Sequence, residues 1–321
     1  MWLAVSIVAY FINAGVFVAD KFILSKKIHS SIVYAFFVGI WSVFNIVLLI
    51  LDPWFPSINE LLIDLGAGIL FLFTLVFWYK ALHQSEATRV VPVVGGLIPI
   101  FSLILSMIFL GEKLSQQQVL AFLILIAGGI LISIKRTRFY LIGQIVERVR
   151  EVFGDVLGEI HAQYRPSRRL LINSTISALF FAAFYVLMKY IYLHQPFIGG
   201  FVWSRLGTFL GAMFILLIPA WRRQINEHQK DTSSPKNLSY FLFVRILAAI
   251  AFIMLNWAIS LGNVALVNAM QGVQYAFLLI LAFVISAKYP KVWKEELGHG
   301  ILLQKMIGVM LIGLGLYVLV S

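Results

Sequence analysis

The chain has 321 residues, of which 61% are hydrophobic and only 12% are charged, and its formal net charge is +11. A soluble domain of this length cannot bury so much apolar surface, so composition excludes a water-soluble enzyme or binding domain and indicates lipid as the main solvent. There is no cysteine and the six histidines are not paired at metal-ligand spacing, so we expect no disulfide, no metal site and no cofactor.

Ten apolar stretches follow one another along the chain, each close to the roughly 20 residues that a spanning helix needs. Lipid offers the backbone no hydrogen-bond partner, so these stretches must be helical. The first begins at Trp2 without a basic segment or a cleavage site, which favours a span over a cleaved signal. The predicted spans are 2–20, 31–51, 62–82, 87–110, 116–134, 170–192, 197–219, 239–261, 265–287 and 304–320.

The spans fall into two groups of five, separated by the longest connection. Because five is odd, two halves of one fold must lie upside down relative to each other in the membrane. We therefore predict an all-α integral membrane protein with ten transmembrane helices as two inverted five-helix repeats. The repeats are residues 1–134 and 170–321, and residues 135–169 link them.

The linker carries apolar residues at helical spacing and charged residues on the opposite face. This pattern predicts either an amphipathic helix in the membrane interface or a solvated helix packed on the protein. Residues 221–237 form a second polar segment, which we expect to be a flexible loop.

Basic residues are unevenly divided between the two sides of the predicted bundle. Lys113 and Lys189 fall on one side, Arg205 and Arg245 lie inside spans, and all remaining Lys and Arg residues fall on the other side. Their dispersal over connections matches membrane topology and argues against a nucleic-acid partner. The distribution predicts a multi-pass plasma (inner) membrane protein with both termini outside and 135–169 in the cytoplasm.

Residues 86–133 contain Ala87, a mid-helix Pro99, the turn Phe-Leu-Gly-Glu-Lys-Leu at 109–114, and Gly128-Gly129. This pattern resembles the EamA domain of the drug/metabolite transporter superfamily, and the ten-span layout resembles it over the whole chain. In the second half, Pro99 has no counterpart, and a longer basic segment replaces the turn. The resemblance implies a carrier of small organic metabolites, often an exporter, that works by alternating access. It also implies that both termini are cytoplasmic, whereas the charge distribution predicts that they lie outside. We follow the charge distribution here.

Two arginines lie inside predicted spans, at Arg205 and Arg245, roughly 10–12 Å from the span ends. No acid in the second half's spans neutralises them. Either they face an aqueous cavity and bind an anionic or zwitterionic substrate, or they extend to headgroups and helix ends. Asp20, Lys21 and Lys189 near span ends are candidates for ion coupling, or for anchoring at the interface, and the resemblance implies lysines at these positions.

Amide and aromatic side chains form a second candidate group for substrate binding. Asn268, Gln271 and Tyr275 lie on one helical stripe, which must face protein or water. These side chains could line a cavity or form hydrogen bonds between helices. The remaining members are Asn13, Trp78, Tyr79, Tyr185, Asn256, Trp257 and Gln274.

Gly95, Gly96 and Pro99 mark a candidate hinge in span four, or a site of static close packing.

These features together lead us to expect a secondary transporter, as monomer or homodimer, that exports a small organic metabolite with a negative group, such as an amino acid. A carrier of nucleotide-linked or lipid-linked sugars is the alternative. A membrane-embedded enzyme is disfavoured because no HExxH, no GxSxG and no paired intramembrane acids occur. A non-transporting accessory subunit is also disfavoured, by the inverted repeat and the polar stripe.

Overall fold

The computed structural model describes residues 1–24, 31–84, 87–133, 168–229, 238–288 and 299–321. In these ranges the chain is helical, with short connections between the helices. The helices are α1 (Trp2–Leu24), α2 (Ser31–Trp41), α3 (Ile58–Gln84), α4 (Ala87–Phe109), α5 (Gln116–Ser133), α6 (Arg168–His194), α7 (Phe197–Leu216), α8 (Pro219–Gln229), α9 (Leu238–Leu261), α10 (Val264–Ala269), α11 (Gln271–Lys288) and α12 (His299–Val320). A 3₁₀ helix, Ser42–Ile50, continues α2.

Eight helical segments in the described ranges are long and apolar enough to cross a membrane, which makes the chain a multi-pass membrane protein. Two shorter apolar segments, Ala35–Ile50 and Val93–Phe109, occupy the positions of the second and fourth predicted spans. The length criterion thus identifies eight candidate spans where the sequence pattern predicts ten. The predicted linker at 135–169 lies outside the described residues, apart from the first two residues of α6.

Two predicted elements differ from the structure. Helix α3 begins at Ile58, earlier than predicted, because Ser57 caps it: the Ser57 N–H and hydroxyl both donate to Glu60 Oε2, at 2.8 and 2.7 Å. The bond from the Ser57 N–H to Glu60 is the acid's part of the S-x-x-E capping box, and this acid lies in the first turn of the helix. The expectation of a flexible loop at 221–237 is wrong for residues 221–229, which form part of α8, with Pro219 at its first position.

The ninth predicted span is divided into two helices. Helix α10 ends at Ala269, and Met270 separates it from α11. The Val273 N–H bonds to the Met270 carbonyl three residues back, at 2.8 Å, so the turn is locally tightened. Asn268 and Gln271 therefore flank a break in the helix inside the bundle.

Helices of the two halves of the chain pack directly on one another. Helix α1 packs on α9 and α11, helix α6 packs on α3 and α4, and α5 packs on α12. Helices α3 and α7 approach each other closely, because glycines allow the backbones to touch. A Cβ at Gly68 would overlap the Ser204 carbonyl, and one at Gly207 would overlap the Leu65 backbone.

One end of the bundle, here called the termini face, carries both chain ends. Trp2 contacts Gly262 there, and Gln117 Nε2 donates to the Val318 carbonyl at 2.7 Å. The α4–α5, α6–α7 and α9–α10 connections lie at the same end.

Candidate functional site

Arg205 lies on α7 and is buried, with 4% of its surface exposed. Its guanidinium carbon is 4.4 Å from the ring centre of Phe71 on α3 and 4.8 Å from that of Phe252 on α9. Phe184 on α6 and Phe201 on α7 follow at 5.4 and 5.6 Å. Four aromatic rings from four helices thus surround one cation, which is attracted to their faces. Arg205 and these four rings are called the Arg205 site below.

The Arg205 guanidinium keeps two N–H groups unpaired within the described part of the chain. Nε and Nη2 are both buried and have no hydrogen-bond partner there. These two nitrogens form one edge of the planar guanidinium, so their N–H bonds point the same way, as a fork that fits the two oxygens of a carboxylate. An unpaired buried donor is costly, and the aromatic rings offer it no acceptor. Burial of Arg205 among four rings argues against the interpretation that it extends to lipid headgroups.

Two tyrosines of α6 adjoin the Arg205 site. Tyr185 and Tyr192 both interact electrostatically with Arg205. The Tyr192 hydroxyl donates to Asn256 Oδ1 at 3.0 Å, and Asn256 Nδ2 donates to the Phe252 carbonyl at 2.9 Å. Tyr192 is not among the sequence candidates, because an aromatic residue near a span end gives the same signal as an interface anchor. Its buried hydroxyl supplies a polar group beside the cation.

The predicted polar stripe on α10 and α11 faces the protein. Asn268 is buried and its Nδ2 donates to Ser102 Oγ of α4 at 2.8 Å. The Tyr275 hydroxyl lies directly against Gly95 of α4. A Cβ added at Gly95 would overlap this hydroxyl, and the same Cβ would lie 3.3 Å from Gln271 Oε1. Because Gly95 has no side chain, the polar stripe can pack directly against α4.

A small cavity of about 10 Å³ lies beside this stripe, with room for roughly one water molecule. All three predicted hinge residues line it, so the glycines and the proline of α4 lie at the contact with the broken helix rather than toward lipid. The residues that line this cavity include Gly95, Gly96, Pro99, Gly129, Gly272 and Tyr275.

Tyr10 of α1 connects the stripe with the Arg205 site. It is buried, its hydroxyl donates to the Val267 carbonyl of α10 at 2.9 Å, and it interacts electrostatically with Tyr185 and Tyr275. Tyr275, Tyr10, Tyr185 and Arg205 are thus neighbouring polar groups in an apolar interior, and they are called the polar path below. Tyr10 gives no signal in the sequence, where it counts as one more aromatic residue of an apolar span.

A buried acid lies near this path, on α3. Asp64 has no exposed surface, and its Oδ1 accepts a hydrogen bond from Gln195 Nε2 at 3.1 Å. It also interacts electrostatically with Tyr192. The predicted span 62–82 contains Asp64, but Asp64 is not among the sequence candidates, because it lies only two residues from the predicted start of that span.

At the termini face, the Gly-Glu turn contacts the second half of the chain. Gly111 has φ = +66°, a conformation that favours glycine, and Glu112 Oε2 accepts from Asn263 Nδ2 at 2.7 Å. Lys189 Nζ donates to the carbonyls of Ser260 and Gly262, at 3.0 and 2.9 Å. Partial burial raises the pKa of Glu112, while Lys189 and the Val264 N–H act in the opposite direction. Glu112, Lys189 and Asn263 are called the Glu112 cluster below.

The other candidates lie farther from these groups or are only partly enclosed. Trp78 is half-buried and packs against Phe181, with ring centres 6.2 Å apart, whereas Trp257 is 36% exposed. The side chains of Asp20 and Lys21 lie outside the described residues. The half-buried candidates are Asn13, Tyr79, Arg245 and Gln274. Within the described ranges, no group of His, Asp and Glu side chains is arranged to hold a metal ion.

Comparison with known proteins identifies the first half of the chain. Residues 1–134 match the model of the EamA-like transporter family. A solved crystal structure of a protein whose function is not stated aligns with 98% of this chain and 93% of its own, at 15% sequence identity and a TM-score of 0.62, and shows the same fold. No curated protein sequence matches the chain significantly.

The turn with Gly111 and Glu112, the glycine-containing α5 and the apolar helices before them all lie inside the matched region. This family points to a membrane transporter rather than an enzyme. Residues 1–134 therefore form an EamA-like domain of the drug/metabolite transporter superfamily.

Proposed function

We propose that the chain is a secondary transporter that moves a small carboxylate-bearing organic metabolite, such as an amino acid, across the plasma (inner) membrane by alternating access. Ten spans form two inverted five-helix repeats, residues 1–134 and 170–321. The substrate binds between them at the Arg205 site, and export is the direction expected from the family resemblance. The distribution of Lys and Arg favours a termini face outside the cell.

Reciprocal helix packing supports the inverted repeats. Helices α1 and α6 form the first predicted span of each half, and each packs on the third span of the other half: α1 on α9, and α6 on α3. Each also packs on the fourth: α1 on α11, and α6 on α4. The fifth helices, α5 and α12, pack on each other. Exchanged partners of this kind are expected of two repeats related by a two-fold axis in the membrane plane.

The observation that carries the substrate class is the fork of Nε and Nη2 on Arg205. A cation that only stabilised the fold would be paired with a carboxylate or a carbonyl of the protein. Here four aromatic rings surround the guanidinium, while one of its hydrogen-bonding edges stays unpaired among the described residues. A flat apolar enclosure with one charged group is suited to a small organic anion.

The two faces of the bundle supply the remaining parts of an alternating-access cycle. The Glu112 cluster joins the two halves at the termini face. The glycines and proline of α4 contact the break at Met270. Rocking of one half against the other would open the Glu112 cluster. It would also bend the chain at the glycines and proline of α4 and at the break at Met270.

The test begins with a thermal-stability screen of the purified protein against amino acids, organic acids and benzoate, because a solute that binds the folded form raises its melting temperature. Arg205→Lys keeps the charge but loses the fork, so the affinity for a stabilising carboxylate should fall roughly 10- to 100-fold. Arg222→Lys, on the exposed part of α8, is the matched control and should bind as the wild type does. Proteoliposomes loaded with the radiolabelled solute then measure its movement.

Two results would contradict the proposal. One is that no carboxylate stabilises the protein or crosses proteoliposomes that contain it. The other is that Arg205→Lys, with a wild-type elution profile in detergent, binds and moves the solute as the wild type does.

A further inference from the structure

Asp64 and Gln195 have more hydrogen-bond acceptors than donors. Gln195 Nε2 donates to Asp64 Oδ1 at 3.1 Å. Asp64 Oδ2 and Gln195 Oε1 are also buried, and neither has a donor among the described residues. Both side chains are enclosed, Asp64 completely and Gln195 to 8% exposure. Two oxygens on one hydrogen-bonded pair thus have nothing to accept.

A single proton corrects this imbalance. An ionised carboxyl group only accepts hydrogen bonds, whereas a protonated one also donates through its O–H. A proton on Asp64 makes the carboxyl and the amide a complementary pair, in which the amide donates to one acid oxygen and accepts from the other. Protonation also removes the cost of holding an ionised carboxylate six residues into a membrane-spanning helix.

The charged groups around Asp64 do not replace the proton. Glu60, one turn earlier on α3, is also an acid and is engaged by Ser57. From α6, Tyr192 faces Asp64, and its hydroxyl donates to Asn256. From α7, Arg205 has its Nε and Nη2 unpaired within the described part of the chain. His194 of α6, next to Gln195, interacts electrostatically with Glu60, and its Nδ1 lies 2.8 Å from the Tyr190 carbonyl. Helix α2, which also packs on α3, contains no Asp, Glu, His, Lys or Arg.

We infer that Asp64 is a proton-binding site and that its protonation is linked to the binding of a carboxylate at the Arg205 site. Tyr192 interacts electrostatically with both Asp64 and Arg205, so the acid and the cation share one neighbouring hydroxyl. An anion bound to Arg205 adds negative charge near Asp64 and favours its neutral form. By linkage, the proton favours the anion to the same extent. The linkage rests on the proposed function, whereas the proton site itself does not.

Infrared difference spectroscopy of the purified full-length protein tests the site directly. At neutral pH, where exposed carboxyl groups are ionised, the wild type should keep a carbonyl stretch of a protonated carboxylic acid. The band should be absent in Asp64→Asn, whose amide can still donate to Gln195 Oε1, and unchanged in the control Asp52→Asn. Wild-type protein labelled with ¹³C in the aspartate carboxyl should show the band at lower frequency, which assigns it to an aspartate without a variant. The band should stay unchanged in Asp20→Asn, which distinguishes Asp64 from the other aspartate near a span end.

The linkage is tested by adding benzoate, a flat aromatic carboxylate, to weakly buffered protein that contains a pH indicator. Binding should take up protons in the wild type and not in Asp64→Asn. Absence of the infrared band at every pH at which the wild type is folded would overturn the proton site, whatever the protein transports. Benzoate binding without proton uptake would overturn the linkage. Absence of benzoate binding together with a clear band would count against the linkage and the proposed carboxylate site, and would leave the proton on Asp64 established.

Discussion

Asn263 Nδ2 donates a hydrogen bond of 2.7 Å to Glu112 Oε2, which is 151 positions away in the chain. Asn263 also caps α10, because its Oδ1 accepts from the N–H groups of Ala265 and Leu266. One side chain therefore starts the broken helix and ties it to the Gly-Glu turn of the EamA-like domain. The turn that carries the family resemblance thus joins the two halves of the chain at the termini face.

Covalent closure of this contact should stop transport. The native chain has no cysteine, so Glu112→Cys with Asn263→Cys introduces the only thiol pair. Oxidation should abolish solute movement in proteoliposomes, and reduction should restore it, because alternating access requires this face to open. Each single variant serves as the control. Full transport by the cross-linked protein would show that the contact stays closed throughout the cycle.

The closed contact should weaken as pH rises. Partial burial raises the pKa of Glu112 above its ordinary value, so the closed form binds more protons than a form in which this carboxyl is solvated. Stability from this group is then present below the ordinary pKa and is lost as pH rises through the raised value. The melting temperature of the wild type should decline over that interval, and Glu112→Gln should flatten the decline. An equal slope in both proteins would assign the pH dependence to other groups.

Two glycines of α3 should respond differently to the same substitution. A Cβ at Gly68 would overlap the Ser204 carbonyl of α7, whereas a Cβ at Gly66 meets nothing within 4 Å. Gly68→Ala should lower the free energy of unfolding by about 1–3 kcal/mol, as overpacking does. Gly66→Ala should leave it unchanged or raise it by up to about 1 kcal/mol, because alanine favours the helix.

Unfolding of both variants in mixed detergent measures this difference. Similar stabilities for Gly66→Ala and Gly68→Ala would contradict the close approach of α3 and α7.

Gly95→Ala should affect binding more than stability. Its Cβ would displace the Tyr275 hydroxyl, which lies at the end of the polar path to Arg205. We expect a reduced affinity for the carboxylate found in the stability screen, with a smaller change in melting temperature, because the adjacent cavity can accept part of the shift. Gly15→Ala on α1, where a Cβ meets nothing within 4 Å, is the control. Equal affinities in the two variants would remove Tyr275 from the binding path.

Local features of the sequence predict the membrane class, the helical spans and the importance of Arg205. Apolar runs must be helical in lipid wherever they occur, and one arginine in such a run is conspicuous without any knowledge of its neighbours. Asp64 is not a sequence candidate for an equally local reason. It lies at the edge of the predicted span 62–82, and only the bonds from Ser57 to Glu60 show that α3 already begins at Ile58.

The sequence by itself determined which solvent surrounds the chain, where most helices lie and which half carries the Gly-Glu turn. These properties depend on composition and on neighbours within a few residues. Only the tertiary structure decided that four phenylalanines from four helices enclose Arg205. The same holds for the proximity of Tyr10 to Tyr185 and Tyr275, and for the pairing of Gln195 with Asp64 across 131 positions. Each of these contacts depends on which helices pack together and how they are rotated, and a periodic apolar pattern leaves both undefined.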